Sequence, residues 1–120
     1  MDIEQVRDYC LSLPGVTEDL FAPEWLSFRI GGKWFVCIWL EAPEPTVAVK
    51  LPPSQGQELR EQYRGIRPAY HLNKVHWNDL YIASGLNEQL IRQLIKTSYD
   101  LVSAKLPKAI KETIAAQNNQ

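Results

Sequence analysis

The stretch WLSFRIGGKWFVCIWL, residues 25–40, constrains the fold more than any other part of the sequence. Its first six residues alternate, and Leu26, Phe28 and Ile30 put apolar side chains on one side, as in a strand with one buried face. GGK then predicts a hairpin turn, because a tight hairpin needs the positive φ that glycine tolerates. WFVCIWL is apolar throughout and predicts a central strand covered on both faces. We therefore expect an antiparallel sheet here.

Helices and further strands are predicted on both sides of this hairpin. Asp2 and Gln5 form a capping-box pattern ahead of an amphipathic helix, and TEDLFAPE after that helix is interpreted as a loop. TVAVKL is predicted as a third strand, a short helix begins near Pro53, and VHWNDLYI is predicted as a fourth strand. Asn87 caps the longest helix, which Pro107 separates from a last helical segment.

This succession of elements gives the order α-β-β-β-α-β-α-α. The chain has 120 residues, which is enough for one domain with a substantial core. We predict a single compact α+β domain over residues 1–116, with the helices packed on an antiparallel sheet. The polar residues 117–120 are predicted to form a C-terminal tail.

The charge of the chain excludes a strongly basic nucleic-acid-binding protein. The net charge is -1 and the pI is about 6.1, whereas proteins that bind mainly by neutralising phosphates are basic. The two halves differ, however. The first 60 residues hold five basic and nine acidic residues, and the last 60 hold eight and five. The second half can therefore carry a local anion site.

The cysteines, the N-terminal segment and the longest apolar run indicate the cellular compartment of the protein. Cys10 and Cys37 lie among apolar neighbours outside any CxxC pattern, which predicts two buried, unbonded thiols in a reducing compartment. The N-terminal MDIEQVRDY lacks the basic and then apolar pattern of a signal peptide. The apolar run over residues 34–40 is too short to cross a bilayer as a helix. We expect a cytoplasmic monomer without a membrane partner.

The stretch GIRPAYHLNKVHW, residues 65–77, concentrates the side chains that are capable of chemistry. A metal site is not expected there. His71 and His76 are five residues apart, and an odd separation puts side chains on opposite faces of a strand. Cys37 and Asp79, the remaining candidate ligands, stand at no fixed ligand spacing from them.

Catalysis is not expected either. A nucleophile needs a base beside it, and no Ser or Cys occurs in a recognisable nucleophile motif near the two imidazoles. Glu18 and Asp19 supply only a loose acidic pair. The sequence contains no Walker loop, no GxGxxG and no HExxH. We expect a protein without enzymatic activity and without a cofactor.

Nucleic-acid binding remains open for the stretch 65–77. Its basic residues and imidazoles offer donors to phosphate, and Tyr70 and Trp77 offer rings on which bases stack. The same aromatic residues are also typical of a core. Trp77 has the strand parity of Val75 and Tyr81, and we expect it to be mostly buried.

A structural corner is the competing interpretation, and the chemistry of the residues alone favours it. Gly65 would cap a helix, and Pro68 would fix the backbone. Arg67 would link a loop through carboxylate or carbonyl contacts, while Asn73 and His71 would satisfy backbone groups of a turn.

Four segments of the chain resemble the MmcQ/YjbR family of small bacterial proteins. They are SLPGVTED after the first helix, FRIGGKWF at the hairpin, YRGIRPAYHLNKVHW in the centre and LIKTSYDLVSAKLPK near the end. Their order and spacing extend the resemblance over nearly the whole chain. The chain departs from the family at LFAPEW, where relatives often have a Phe-Pro element, and at Val75, where they often carry a basic residue.

The resemblance implies a compact α+β fold described as a double wing, and a DNA-binding role. We expect a non-enzymatic DNA-binding protein whose binding is weak and directed at the backbone. The alternative is a small cytoplasmic adaptor or metabolite-binding module, with a protein or small-molecule partner and no nucleic-acid role. The residues expected to contact nucleic acid are Lys33, Arg64, Arg67, His71, Lys74 and His76. Those expected to form the structural motif are Gly65, Pro68, Tyr70, Asn73 and Trp77.

Overall fold

The computed structural model describes residues 1–118, which form four helices and six strands. In chain order these are α1 (Ile3–Ser12), β1 (Val16–Phe21), β2 (Trp25–Ile30), β3 (Lys33–Trp39), β4 (Thr46–Lys50), α2 (Pro53–Gln62), β5 (Ile66–Pro68), β6 (Trp77–Tyr81), α3 (Glu88–Ser103) and α4 (Lys108–Asn118). The predicted α+β class with an antiparallel sheet is confirmed.

The six strands form one sheet in the order β1-β2-β3-β4-β6-β5, and every neighbouring pair is antiparallel. The first four strands are a meander, with Gly31 and Gly32 at positive φ in the predicted hairpin turn. After β4 the chain passes through α2 and returns as the hairpin β5–β6, whose second strand pairs with β4. The predicted central strand β3 is the third of the six.

One face of the sheet carries the hydrophobic core. A row of directly opposed residues crosses all six strands and is apolar at every position: Leu20, Leu26, Ile38, Val47, Leu80 and Ile66. Buried residues of α1 and α3 belong to the same cluster, including Val6, Cys10, Ile91 and Ile95. Burying apolar area in this layer is the main stabilising contribution of the fold.

The helix boundaries follow from local sequence. Asp2 and Gln5 form the predicted capping box on α1, and the Asn87 side chain accepts hydrogen bonds from the first turn of α3. Pro107 lies between α3 and α4, because proline cannot continue the hydrogen-bond ladder of the preceding helix. Among residues 1–118, no helix combines the length and the apolar character that a membrane crossing requires.

The predicted element order omitted two strands. The segment TEDLFAPE, interpreted as a loop, contributes most of β1, an edge strand that pairs along its whole length with β2. Its side chains are mostly exposed, so an apolar alternation that would mark a strand is missing. The three-residue β5 is too short for any periodicity to appear, and Pro68 is tolerated there because β5 is also an edge strand.

Two expectations about the ends of helices also differ from the structure. Gly65 does not cap α2, because the cap is Tyr63. Gly65 is instead required by close packing, since a Cβ at this position would collide with the side chain of Ser84. Helix α4 extends to Asn118, into the segment predicted as a polar tail, and residues 119–120 of that tail lie outside the described part of the chain.

Candidate functional site

The second face of the sheet differs in composition from the core face. Its central row of opposed residues is Asp19, Ser27, Cys37, Ala48, Asp79 and Arg67. These side chains are small, polar or charged, and the rows on either side add aromatic residues. We call this surface the open face, and define it by the row just given together with Trp25, Trp39, Trp77 and Tyr81 on the same strand faces.

A cavity of about 510 Å³ lies on the open face. We call it the aromatic pocket. Cys37, Ala48 and Asp79 of the central row form its floor. Cysteine and alanine are small, so they leave space above the sheet where a larger side chain would fill it. Its walls are aromatic, and the residues that form them are Trp25, Trp39, Tyr70, His71 and Tyr81.

His71 lies at the centre of these rings. Its imidazole is 4.6 Å from the Trp39 ring, 4.7 Å from Tyr70 and 5.5 Å from Trp25, each in an edge-to-face arrangement. Trp25 and Trp39 are stacked at 6.3 Å. Such contacts hold each ring in a defined orientation. His71 therefore forms part of the pocket wall. The structural-corner interpretation expected it to satisfy backbone groups of a turn, and within residues 1–118 it does not have that role.

Asp79 is the one acidic group on the pocket floor, and it is 8% exposed. Its Oδ2 accepts a hydrogen bond of 3.0 Å from the backbone N–H of Tyr70. Burial raises the pKa of Asp79, while the Tyr70 hydrogen bond and the neighbouring His71 and Lys74 side chains oppose that rise. A buried carboxylate at the bottom of a cavity is a typical mark of a binding site.

Two arginines border the aromatic pocket. Arg64 and Arg67 both line it, and the Arg67 guanidinium lies 5.2 Å above the ring of Tyr81. The Nε of Arg67 donates to the backbone carbonyl of Arg64 at 3.2 Å, which is the carbonyl contact expected for this residue. Neither arginine pairs with a carboxylate within residues 1–118. Both can therefore donate to an anion.

The side chain of Lys74 is hydrogen-bonded within the loop that borders the pocket. Its ammonium donates to the carbonyls of Ala69 at 2.7 Å and Tyr70 at 3.1 Å. Asn73 accepts a hydrogen bond from the backbone of Val75, which is the turn role expected for it. The loop presents Tyr70 to solvent with 75% of its surface exposed, so this ring is not core.

A second cavity, of about 580 Å³, lies beside the hairpin β2–β3. We call it the basic groove. Lys33, Lys50 and Lys105 line it with Trp34 and Trp77, and none of its lining residues is acidic. Across the described chain, the three lysines form no ion pair. Arg29 also lines the groove but is bound to Asp19 and lies over the ring of Trp34.

A third, smaller cavity is adjacent to both of these cavities. It shares Trp25, His71 and Leu72 with the aromatic pocket, and shares Trp34 with the basic groove. The indole Nε1 of Trp34 is buried and has no hydrogen-bond acceptor among residues 1–118. Aromatic rings therefore line three neighbouring cavities, and basic side chains line the two larger ones.

The predicted contact residues are divided between these features. Arg64, Arg67 and His71 meet at the aromatic pocket, whereas Lys33 lies at the basic groove. His76 is exposed and lines neither cavity. Trp77 is mostly buried, as expected, and it lines the basic groove.

Several residues of the site were missed by sequence reasoning. Trp25 and Trp39 were assigned to strands without a role, and Asp79 was considered only as a metal ligand. Lys50 and Lys105 were not considered. The strand parity of Trp25, opposite to that of Phe28, already indicated a ring on the non-core face, but register across strands was needed to bring the rings together.

The acidic pair considered for catalysis is engaged elsewhere. Glu18 accepts two hydrogen bonds from the guanidinium of Arg7, and Asp19 accepts from Ser27 and Arg29. The part of the chain that the structure describes contains no cluster of three His, Cys, Asp or Glu side chains that would hold a metal ion. Cys10 and Cys37 are buried and unbonded, as predicted.

These features define an α+β protein with a ligand-sized cavity on the helix-free side of an antiparallel sheet. The chain belongs to the YjbR family, whose model matches residues 11–101. YjbR of Escherichia coli K12 is 29% identical over 109 residues, which cover 89% of this chain and 92% of that protein. YbdF of Escherichia coli O157:H7 is 36% identical over 88 residues, which cover 73% and 72%. The names of these relatives state no activity.

Two solved structures share the fold. The DUF419 domain protein DR2400 of Deinococcus radiodurans superposes with a TM-score of 0.87 at 28% identity, and the match covers 95% of this chain and 88% of that one. A Pseudomonas syringae protein superposes with a TM-score of 0.72 at 26% identity, covering 84% and 98%.

Proposed function

We propose that this chain is a non-enzymatic DNA-binding protein that holds single-stranded DNA on its open face. The observation that carries the proposal is the three neighbouring cavities lined by aromatic rings, with unpaired basic side chains at the two larger ones. Proteins that bind single strands combine stacking rings with a positively charged path for the backbone. A duplex keeps its bases stacked within the helix, so it cannot use the rings in this way.

The charge distribution supports weak binding directed at the backbone. Arg64 and Arg67 line the aromatic pocket, and the three lysines line the basic groove. Lys74, which was expected to contact phosphate, instead donates to two carbonyls of its own loop. Five cations are therefore available, which predicts a slope of about -3.5 in log K against log salt on a single strand.

The proposal is tested by fluorescence anisotropy with matched single-stranded and duplex oligonucleotides. We expect the single strand to bind more tightly, and its affinity to fall about a hundredfold between about 50 and about 200 mM salt. Arg64→Ala should weaken binding to all sequences and reduce the slope by about 0.7. Lys108→Ala is the control, because Lys108 lines neither cavity. Absence of binding at about 50 mM salt would reject the proposal.

A metabolite-binding module is the second candidate. The aromatic pocket is a discrete cavity, and its volume of about 510 Å³ lies within the range of small-molecule sites. If nucleotides bind as free molecules and oligonucleotides do not bind, this candidate replaces the first. An adaptor role for a protein partner would be favoured if neither class of ligand binds.

A further inference from the structure

We infer that the aromatic pocket holds one unpaired nucleobase that carries an exocyclic amino group, and that Asp79 accepts a hydrogen bond from that group. The inference rests on the proposed function and names the part of the ligand that this site recognises.

Asp79 has unused acceptor capacity. An ionised carboxylate offers about four acceptor positions, and one of them is taken by the N–H of Tyr70. Among the described side chains, none donates a hydrogen bond to Asp79, because the nearby ammonium of Lys74 points to two backbone carbonyls. A carboxylate that is 8% exposed is costly to bury with so few partners. A ligand donor in the cavity would relieve that cost.

The shape of the pocket suits a flat ring. Asp79 lies on the floor next to Ala48, and the rings of Trp25, Trp39 and His71 line the same cavity. A base that stacks on these rings would direct its edge toward the sheet. The amino groups of cytosine and adenine, and the adjacent N–H groups of guanine, would then meet a group that only accepts hydrogen bonds.

The two arginines at the border argue against the simplest alternative ligand. Aromatic walls with a buried acid also suit an organic cation. Here, however, Arg64 and Arg67 stand at the pocket, and Arg67 already occupies the face of the Tyr81 ring. The two guanidinium groups can bind a phosphate, and they offset the carboxylates of Glu44 and Asp79 that would otherwise attract a cation. A neutral ring with a donor edge and an attached phosphate matches all of these groups.

The test compares homopolymers of deoxycytidine and deoxyuridine on the unmodified protein. The two bases have the same size, but cytosine has an amino donor where uracil has a carbonyl acceptor. We expect deoxycytidine strands to bind at least about fivefold more tightly. A second pair, deoxyadenosine and deoxyinosine, repeats the comparison with purines. Equal affinities within both pairs would overturn the inference and leave the proposed function standing.

A variant pair assigns the preference to Asp79. Asp79→Asn keeps the size and an acceptor for Tyr70 but adds a donor, so the preference for cytosine over uracil should disappear or invert. Glu44→Gln is the matched control, because Glu44 also lines the pocket and loses the same charge. We expect it to change both affinities by the same factor. A preference retained in Asp79→Asn would overturn the assignment.

Free nucleotides separate the two sources of such a base. If dCMP competes with the strand more strongly than dUMP does, the recognition is supported and one nucleotide suffices for it. If neither competes but strands still discriminate, the recognition is supported for DNA alone. If no strand and no nucleotide binds, the proposed function and the inference both fail.

Discussion

The two faces of the sheet consist of alternating residues of the same strands, yet they are organised in opposite ways. The core face has a row of six apolar residues, and the central ones, Leu26, Ile38 and Val47, pack in the same cluster as residues of α1 and α3. The open face has Ser27, Cys37 and Ala48 at the neighbouring positions, with partly buried rings around them. Helices of the same chain cover the core face, whereas the open face contains a cavity of ligand size. A shift of one residue along a strand therefore separates the packed core from the cavity.

Truncation of a ring should affect the two faces unequally, and this is the largest expected effect. Phe28 is fully buried on the core face, so Phe28→Ala should lower the free energy of unfolding by about 3–5 kcal/mol. Trp39 on the open face is half-buried, and Trp39→Ala should cost less than about 2 kcal/mol. Urea unfolding followed by circular dichroism measures both. Equal losses would contradict the comparison.

Enlarging one residue on each face, at the adjacent positions 47 and 48, tests the same difference in packing between the two faces. Val47→Leu adds a methylene to a packed core and should cost about 1–3 kcal/mol. Ala48→Leu adds more atoms, but they extend into the aromatic pocket, so we expect a loss below about 1 kcal/mol. The same Ala48→Leu protein should lose at least about tenfold in affinity for DNA, because the side chain occupies the ligand space. Retained affinity would show that the ligand lies elsewhere.

The two cysteines allow the reactivity of the same chemical group to be compared on the two sides of the sheet. Cys10 lies in the core, and Cys37 lies on the floor of the aromatic pocket. Burial raises the pKa of each thiol to about 12, so native protein should react slowly with a thiol reagent at both positions. Local opening of the pocket should label Cys37 at least about tenfold faster than Cys10, which requires unfolding of the core. Mass spectrometry after timed labelling gives both rates, and faster labelling of Cys10 would reverse the comparison.

Asp79 should produce the smallest effect, in its pH dependence. Because burial raises its pKa in the folded protein above the ordinary value of 3.8, the folded state holds the proton more tightly than the unfolded state does. The stabilising contribution of the protonated acid is complete below pH 3.8 and is lost as the pH rises through the folded pKa. Asp79→Asn should therefore be more stable than the unmodified protein at pH 7.

The advantage of Asp79→Asn should shrink as the pH falls through that range. Thermal unfolding of both proteins over a pH series measures the difference. An Asp79→Asn protein that is less stable at pH 7 would indicate that the carboxylate has a stabilising partner, and would weaken the case for an unused acceptor.

Local sequence determined much of the fold. The capping box at Asp2, the cap at Asn87, the glycine turn at Gly31 and the alternation of β2 were predictable, because each depends on residues that are close in the chain. The burial of Cys10 and Cys37 followed from their apolar neighbours. The family also followed from motifs that keep their order and spacing along the chain.

Only the tertiary structure decided which residues come together on the open face. Strand β1 carries exposed side chains and forms because its backbone pairs with β2, which no periodicity in its own residues indicates. Trp25, Asp79 and Arg67 are far apart in sequence and meet because the register of six strands aligns them. Lys74 was available to phosphate in the sequence, but its loop uses the ammonium to satisfy two carbonyls. Register and hydrogen-bond competition are properties of the folded chain, because both depend on residues that only folding brings into contact.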